Sequence, residues 1–462
     1  MFRPAAVFAA VLALAGCASL APKYERPAAP VPAQLPVPAT DAASAPAEAA
    51  LPPWQDFVQS APLRELLQRA LVNNRDLRVA ALNVERSRAL LSASEADRWP
   101  TVGAGLTAAR QPSTTTANKQ VNLYTAGLQV NAWELDLFGR IASLNEAARA
   151  QLMASEAGRR GAELSVVAAV VATALTLAAD NELLALAERT LATRRESARL
   201  TGLRFDNGAA SALDQNTAQS LLAQARTLLV QQRRVRSQDL NALALLVGQP
   251  AESLGTLPLL VGPATQPTAW LADVPVGVNS QVLLGRPDVL QAEGALMAAN
   301  ANIGAARAAF FPRVSLTTSV GLASTDFASL FEAGSFAWTV AASAIAPIFD
   351  AGRNRANLAA SKTSRDIAVA QYERAVQNAF RETADALAGL GTWREQLAGQ
   401  RDQLSAAREI ARLTELRFDN GAASLLERLD AERNRFAAEQ AVVSVQLAEL
   451  QNRVALYKAL GR

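Results

Sequence analysis

The sequence predicts a mixed α and β chain assembled as a tandem repeat of helix, β-hairpin, long helix, turn and helix. Three observations predict it. The stretch Leu203 to Ser211 (LRFDNGAAS) recurs unchanged at Leu416 to Ser424. Two pairs of segments alternate apolar with small or polar residues, the two-residue period of strands. Two long Leu/Ala-rich segments carry a sevenfold apolar spacing at Val170, Leu177, Leu184 and Leu191, and at Val369, Val376, Leu390, Leu397 and Leu404. Leu177, Leu184 and Leu191 recur as Leu390, Leu397 and Leu404, at the same offset that relates the two copies of the repeated stretch.

Taken in order, residues 1–16 read as a targeting segment. Arg3 supplies the positive region and Ala5 to Leu14 the apolar core, and Leu14-Ala15-Gly16-Cys17 has the form of a bacterial lipobox. Cys17, the only cysteine of the chain, is the expected lipid attachment site. Ala18 and Ser19 after it fit outer-membrane sorting. Residues 17–61 are rich in Pro and Ala and are expected to be an extended strap without helix or inner strand.

The first repeat is expected over 62–247. It opens with a helix over 62–98 that ends at Arg98-Trp99-Pro100. A hairpin follows over 99–133. Val102, Ala104, Leu106 and Ala108 form one side of its first strand, and Tyr124, Ala126, Leu128, Val130 and Ala132 one side of its second, with a polar loop near 110–120. A long helix over 141–206, the first turn, and a helix over 212–247 complete the repeat. A Pro/Gly-rich segment over 248–286 reads either as an irregular collar or as an ordinary linker. The second repeat, 287–462, has a helix over about 287–310, a hairpin over 312–347, a long helix over 354–419, the second turn and a helix over 425–460.

Each turn has helix-stop and helix-start chemistry. Asn207-Gly208 and Asn420-Gly421 supply a left-handed stop. Ser424 with Glu427 forms a capping box, and Ser211 with Asp214 is a near variant. A recurrent surface turn with no partner fits the local sequence as well. Near-identity in two otherwise diverged halves points instead to a role for Arg204, Phe205, Gly208, Arg417, Phe418 and Gly421 beyond reversing the chain.

Composition excludes much. Lys plus Arg number 45 and Asp plus Glu 42, a balance without the excess of a nucleic-acid binder. With no His and one Cys there is no His-based catalysis, no His metal site, no Cys cluster and no internal disulfide. No enzymatic activity and no cofactor are expected. No run of about 18 apolar residues follows the N-terminus, so no membrane-spanning helix is expected. The hairpins read as transmembrane strands, though a half-buried soluble hairpin has the same pattern. Four strands cannot close a barrel, and lipid does not tolerate an open edge, so strands in a membrane require several copies of the chain.

These features together resemble the TolC-like outer-membrane efflux proteins, and within them the OprM-like lipoproteins, also called the NodT family. The residues that carry the resemblance are Leu14-Ala15-Gly16-Cys17, Tyr24-Glu25-Arg26-Pro27, Trp133 to Arg140 (WELDLFGR), Phe310-Phe311-Pro312 and the two Arg-Phe-Asp-Asn-Gly turns. The resemblance covers essentially the whole chain after the targeting segment. It implies a homotrimer in the outer membrane, with a twelve-stranded β-barrel, four strands per chain, continuous with a long periplasmic α-helical barrel. It implies an equatorial collar at 248–286, a periplasmic membrane-fusion adaptor docking at the two turns, and an inner-membrane pump that supplies the energy. It implies a passive conduit for drugs or toxic compounds. A type I secretion channel, a metal-efflux channel and a structural coiled-coil lipoprotein without a pore are the alternatives. The paired hairpins argue against the last.

The resemblance also aligns Leu426 to Arg433 with the stretch that closes the periplasmic end of such channels. Leu426 and Asp430 lie one helical turn apart, with Arg433 close to the same stripe. Threefold symmetry then makes rings of Leu426 and Asp430, an apolar ring that favours dewetting and an acidic ring. The first half offers Leu213 and Thr217 at the equivalent positions, so it has no acidic ring. Equally, Leu426 fits as a coiled-coil core residue and Asp430 as a first-turn charge on the helix dipole.

Overall fold

A computed structural model describes residues 20–36, 51–112, 120–254, 267–275 and 279–461. Its elements are α1 (Trp54–Phe57), α2 (Ala61–Asn73), α3 (Arg75–Ala96), β1 (Val102–Pro112), β2 (Gln120–Leu135), α4 (Arg140–Asp206), α5 (Ala212–Val247), α6 (Ala251–Leu254), α7 (Pro287–Ala308), β3 (Arg313–Ser324), β4 (Phe336–Ile345), α8 (Arg353–Asp419) and α9 (Leu425–Leu460). Two short 3-10 helices, Pro267–Trp270 and Ser280–Gly285, precede α7. α4 and α8 have 67 residues each, about 100 Å of helix. α5 and α9 have 36 each. The chain divides into two compact units. One comprises Met1–Ala29, Leu82–Ala157 and Leu290–Arg374, the other Pro30–Ala81, Gly158–Val289 and Ala375–Arg462.

The first unit holds one antiparallel sheet in the order β1-β2-β3-β4, so β1 and β4 are its edges. The register sorts the two faces. Ala104, Leu128, Val320 and Trp338 lie in one row, as do Leu106, Ala126, Leu322 and Phe336. On the opposite face Gly103, Gln129, Ser319 and Thr339 form a row, and beside it run Gly105, Gly127, Gly321 and Ala337. Gly127 and Gly321 are required there. A Cβ on Gly127 would lie 2.7 Å from the Gly321 Cα, and one on Gly321 2.6 Å from the Gly127 Cα. The apolar face is exposed, with Leu106, Leu128, Phe336, Trp338 and Val340 all more than half accessible.

Alternation breaks once. Ala132 adopts φ 47, and the β2–β3 register shifts between Val130 and Trp133. The sequence placed Ala132 on the apolar side. It is instead the extra residue of a β-bulge, and its N–H donates to Thr317 Oγ1 at 3.2 Å. The bulge returns Trp133 and Leu135 to the apolar face, opposite Leu316 and Val314, and extends β2 to Leu135.

The second unit is a helical bundle. Phe57, Leu63, Leu66 and Leu67 pack with Val170, Val171, Leu175, Leu177, Leu243, Val247, Val454 and Tyr457 in one buried core. Each such side chain contributes about 1.5–3 kcal/mol on leaving water. The strap joins this core. Phe57 stacks on Tyr457 with centroids 4.1 Å apart, and the Tyr457 hydroxyl donates to the Pro52 carbonyl at 3.1 Å.

Several expectations are corrected. The helix expected over 62–98 is two helices. Asn74 leaves the helical region at ψ 130, accepts from the Leu77 N–H at 2.9 Å to cap α3, and donates to the Leu246 carbonyl at 2.7 Å. Helical periodicity resumes at once, which hides the break. The strap carries a four-residue helix, α1, directly after Pro53, where a proline is no obstacle because the first N–H groups of a helix need no partner. The helix expected to reach residue 310 ends at Ala308. α4 contains a stretch long and apolar enough to cross a membrane by length and composition, and half of it is buried. Its residues Val166 to Ala178 supply the core just described, which accounts for their apolar character. The targeting segment 1–16, Cys17 and part of the 248–286 segment lie outside the described residues.

Candidate functional site

Both turns form as the residues dictate. After α4, Gly208 adopts φ 71, its N–H donates to Phe205 O at 2.9 Å, and the Ala209 N–H donates to Arg204 O at 2.7 Å. After α8, Gly421 adopts φ 75, its N–H donates to Phe418 O at 3.0 Å, and the Ala422 N–H to Arg417 O at 2.7 Å. These paired bonds are the Schellman closure that a left-handed glycine permits. Asn207 and Asn420 each donate from Nδ2 to the carbonyl four residues back, at 2.6 and 2.7 Å.

Both following helices begin with a complete capping box. Ser211 Oγ accepts from the Asp214 N–H at 3.1 Å and the Ser211 N–H donates to Asp214 at 3.0 Å. Ser424 Oγ accepts from the Glu427 N–H at 3.2 Å and the Ser424 N–H donates to Glu427 at 2.7 Å. The Ser211 hydroxyl holds the Asp214 carboxyl below its usual range, and the Ser424 N–H does the same for Glu427.

The surroundings differ. Phe418 is half-buried, with the Arg204 guanidinium 5.3 Å and the Arg428 guanidinium 4.6 Å from its ring centroid. Arg204 of the first turn therefore serves the second. Phe205 is exposed. Arg417 donates to the Ala422 carbonyl at 3.0 Å across its own turn.

Behind the second turn lies a network that sequence reasoning missed. Arg194 of α4, 7% exposed, pairs with Glu432 of α9 at 2.6 Å. Arg428 lies 3.5 Å from the other oxygen of Glu432 and donates to Ser197 Oγ at 2.9 Å. Burial pulls the Arg194 guanidinium down, Glu432 opposes the shift, and Arg428, Arg435 and Arg433 add to it. A signal existed in the repeat. At the equivalent positions of the first half, Arg428 and Glu432 are replaced by Gln215 and Gln219. Charge at these points is where the halves part.

The residues expected at a gate are placed as follows. Leu426 is 63% exposed, whereas Leu429, on another face of the same helix, is buried at 4%. Asp430 pairs with Arg433 at 3.0 Å, both partly or fully exposed, so the acidic group has a cation beside it. Cys17 is outside the described residues.

The base of the sheet is tied by charge. Arg140, the first residue of α4, donates twice to Glu134 at 2.8 and 2.7 Å, and Arg313 pairs with the same carboxylate at 3.2 Å. Asp136 accepts from the Ile141 and Ala142 N–H groups at 3.0 and 2.7 Å and so caps α4. Phe138 stacks on Phe311 with centroids 4.8 Å apart. The Trp133 to Arg140 run thus ends the sheet and starts the long helix.

Comparison with known proteins gives concordant matches. The family model described as outer membrane efflux protein matches residues 66–249 and 278–462. The chain is 44% identical over 457 residues to the toluene efflux pump outer membrane protein TtgC of Pseudomonas putida, covering 97% of this chain and 93% of that protein. The antibiotic efflux pump outer membrane protein ArpC of Pseudomonas putida matches at the same identity and coverage. Among solved structures, the open state of the MtrE outer membrane channel of Neisseria gonorrhoeae superposes with a TM-score of 0.82 at 36% identity, covering 96% of this chain and 98% of that one.

Proposed function

The chain belongs to the outer membrane efflux protein family, and from that premise we propose that three copies close a twelve-stranded barrel and form a passive conduit. The protein is the outer-membrane channel component of an efflux system, with a long helical periplasmic part, and it works with an adaptor and an inner-membrane pump. The observation that carries the trimer is the sheet. It has one exposed apolar face and two unpaired edges, β1 and β4. An isolated four-stranded sheet of this kind is untenable in lipid, and pairing β4 of one copy with β1 of the next removes both edges. The matched lengths of α4 with α8 and of α5 with α9 support an origin by tandem duplication. No group of the site performs chemistry in this reading.

Small organic compounds are the proposed cargo, because the relatives named above serve toluene and antibiotic efflux pumps. Cys17 is proposed as the lipid-bearing residue; intact mass of the mature protein reads it directly. The turn residues Arg204, Phe205, Gly208, Arg417, Phe418 and Gly421 shape the surface offered to the adaptor. Leu426 and Asp430, braced by Arg433, line the closed end, which the exposure of Leu426 supports. Native mass spectrometry in detergent tests closure, with three copies expected and a folded monomer ruling it out. Single-channel recording of the trimer tests the gate. Leu426→Ala with Asp430→Ala should raise conductance, and unchanged conductance with trimers intact would reject these residues as the gate.

A further inference from the structure

Deeper in the second hairpin than the turn, α4 and α9 leave a cavity of about 300 Å³ between them. Its walls carry Arg189, Thr190 and Arg194 from α4, and Glu432, Arg435 and Glu439 from α9. Both carboxylates are already engaged. Glu432 serves Arg194 and Arg428, and Glu439 faces Arg408 of α8 at 3.3 Å. Arg189 is exposed and acts on Glu182. Arg435 differs from all of these. It has no carboxylate within ion-pair distance among the described residues, and its Nε is buried with no hydrogen-bond partner. A buried charged donor without an acceptor is costly to keep.

The local charge does not balance. Three guanidinium groups, those of Arg194, Arg428 and Arg435, stand against the one carboxylate of Glu432, an excess of two positive charges. Burial, and then repulsion from Arg428, Arg435 and Arg433, pull Arg194 down against the hold of Glu432. The other half of the repeat has none of this. Ala407, Gln215, Gln219 and Leu222 stand at the positions equivalent to Arg194, Arg428, Glu432 and Arg435. Leu222 is buried with Ala198 and Ala218 in a small apolar core. A leucine therefore suffices to pack that position, and packing does not demand the arginine.

We propose that the cavity is a binding site for a small oxyanion of the size and charge of phosphate or sulfate, held between Arg194 and Arg435. A guanidinium fork matches such an anion with paired N–H groups, and a dianion cancels the excess charge. Thr193 already donates to the Arg189 carbonyl at 3.2 Å, whereas the Thr190 hydroxyl is engaged nowhere else among the described residues and adds a donor. Bound there, the anion spans α4 and α9 and fastens the second hairpin further. The site stands whether or not Leu426 and Asp430 line the closed end.

The test uses the purified full chain in detergent. Calorimetric titration with sodium phosphate, and separately with sodium sulfate, in chloride buffer at constant ionic strength reads binding. Wild type should take up one anion per chain. Arg435→Leu installs the residue of the other half and should weaken binding about tenfold or more, the loss expected for hydrogen bonds to a charged group. Arg435→Lys keeps the charge without the fork and should fall between the two. Arg412→Leu removes an exposed arginine that pairs with Glu409 on α8, outside the cavity, and should bind as wild type does. No saturable binding to wild type would overturn the site. So would equal binding by wild type and Arg435→Leu, or an equal loss in Arg412→Leu, which would show attraction to bulk charge. Hydrogen exchange over the start of α9 reads the fastening. Phosphate should slow it in wild type and leave Arg435→Leu unchanged, and binding without slowed exchange would overturn the fastening.

Discussion

The two turns have one sequence and two environments. Each has the same left-handed glycine, the same Schellman bonds and the same capping box. Yet Phe418 has two guanidinium groups over its ring while its copy Phe205 is exposed. Helix α9 is fastened to α4 through Arg194, Glu432, Arg428 and Ser197, whereas Gln215 and Gln219 replace the charged pair at the start of α5. There the small cluster of Ala198, Ala218 and Leu222 makes the contact between α4 and α5. Local sequence therefore builds the turn, and the helix that follows decides how firmly it is held. The second turn is the fastened one, and it carries the proposed gate.

The sharpest way to break this comparison is at Glu432. Glu432→Ala leaves Arg194 buried without a counter-charge, a loss of about 3–5 kcal/mol for a broken buried pair. Gln219→Ala, at the equivalent place in the first half, is expected to cost under about 0.5 kcal/mol, as an ordinary substitution without such a partner. Hydrogen exchange of the two hairpins should show α9 opening near its start in the first variant and no change in the second. Equal protection in both would mean that the network does not hold the second turn.

Next in size is the glycine. Gly208→Val and Gly421→Val each force a β-branched residue into φ 71 or φ 75, at about 1–2 kcal/mol. Strain should be the same in both, since the turns are the same. Efflux should not be, if only the second turn leads into the gate. Trimer yield normal in both, with export lost most at Gly421, is the expected outcome. Equal export loss would show that both turns serve the adaptor alike.

A smaller contrast is aromatic. Phe418→Leu removes two cation–π contacts of roughly 0.5–2 kcal/mol in total. Phe205→Leu removes none. Thermal midpoints of the trimer should fall for the first and stay for the second.

How much of this was legible depended on distance along the chain. The turns were legible because the repeated stretch contains both the stop and the start of a helix. Strand faces were legible where the two-residue period held, and failed at Ala132, where a non-glycine residue takes a positive φ that no local pattern announces. The Asn74 break was hidden by a helical period that runs on past it. Arg194 and Glu432 lie 238 residues apart, on helices whose pairing no periodicity fixes. The pairing of Tyr24 and Arg26 with Glu293 of α7 was half legible. Tyr24 to Pro27 stood out as a motif, but its partner Glu293 was one acidic residue among many.

The last contrast, read as a change with pH rather than as a loss at one pH, concerns the deeper part of the same helices. Asp180 of α4 is buried, and Gln232 of α5 donates to one of its oxygens at 3.1 Å. Burial, and then the adjacent Asp239, push Asp180 from 3.8 up to about 7, against Gln232 and Arg236. Its equivalent in the second half is Trp393, and that of Asp239 is Asn452, so the second half has no such pair. A raised acid favours the fold in its protonated form. Its contribution is complete below about pH 4, declines as pH rises toward 7, and is absent above. Asp180→Asn keeps a neutral group at every pH. The variant should match wild type near pH 4 and exceed it in thermal midpoint near pH 8, by a few degrees at most. Trp393→Phe titrates nothing, so its shift should be the same at both pH values. If the Asp180→Asn difference were equally large at both, the Asp180 carboxyl would be charged throughout, and the α4–α5 pair would be no more pH-sensitive than α8–α9.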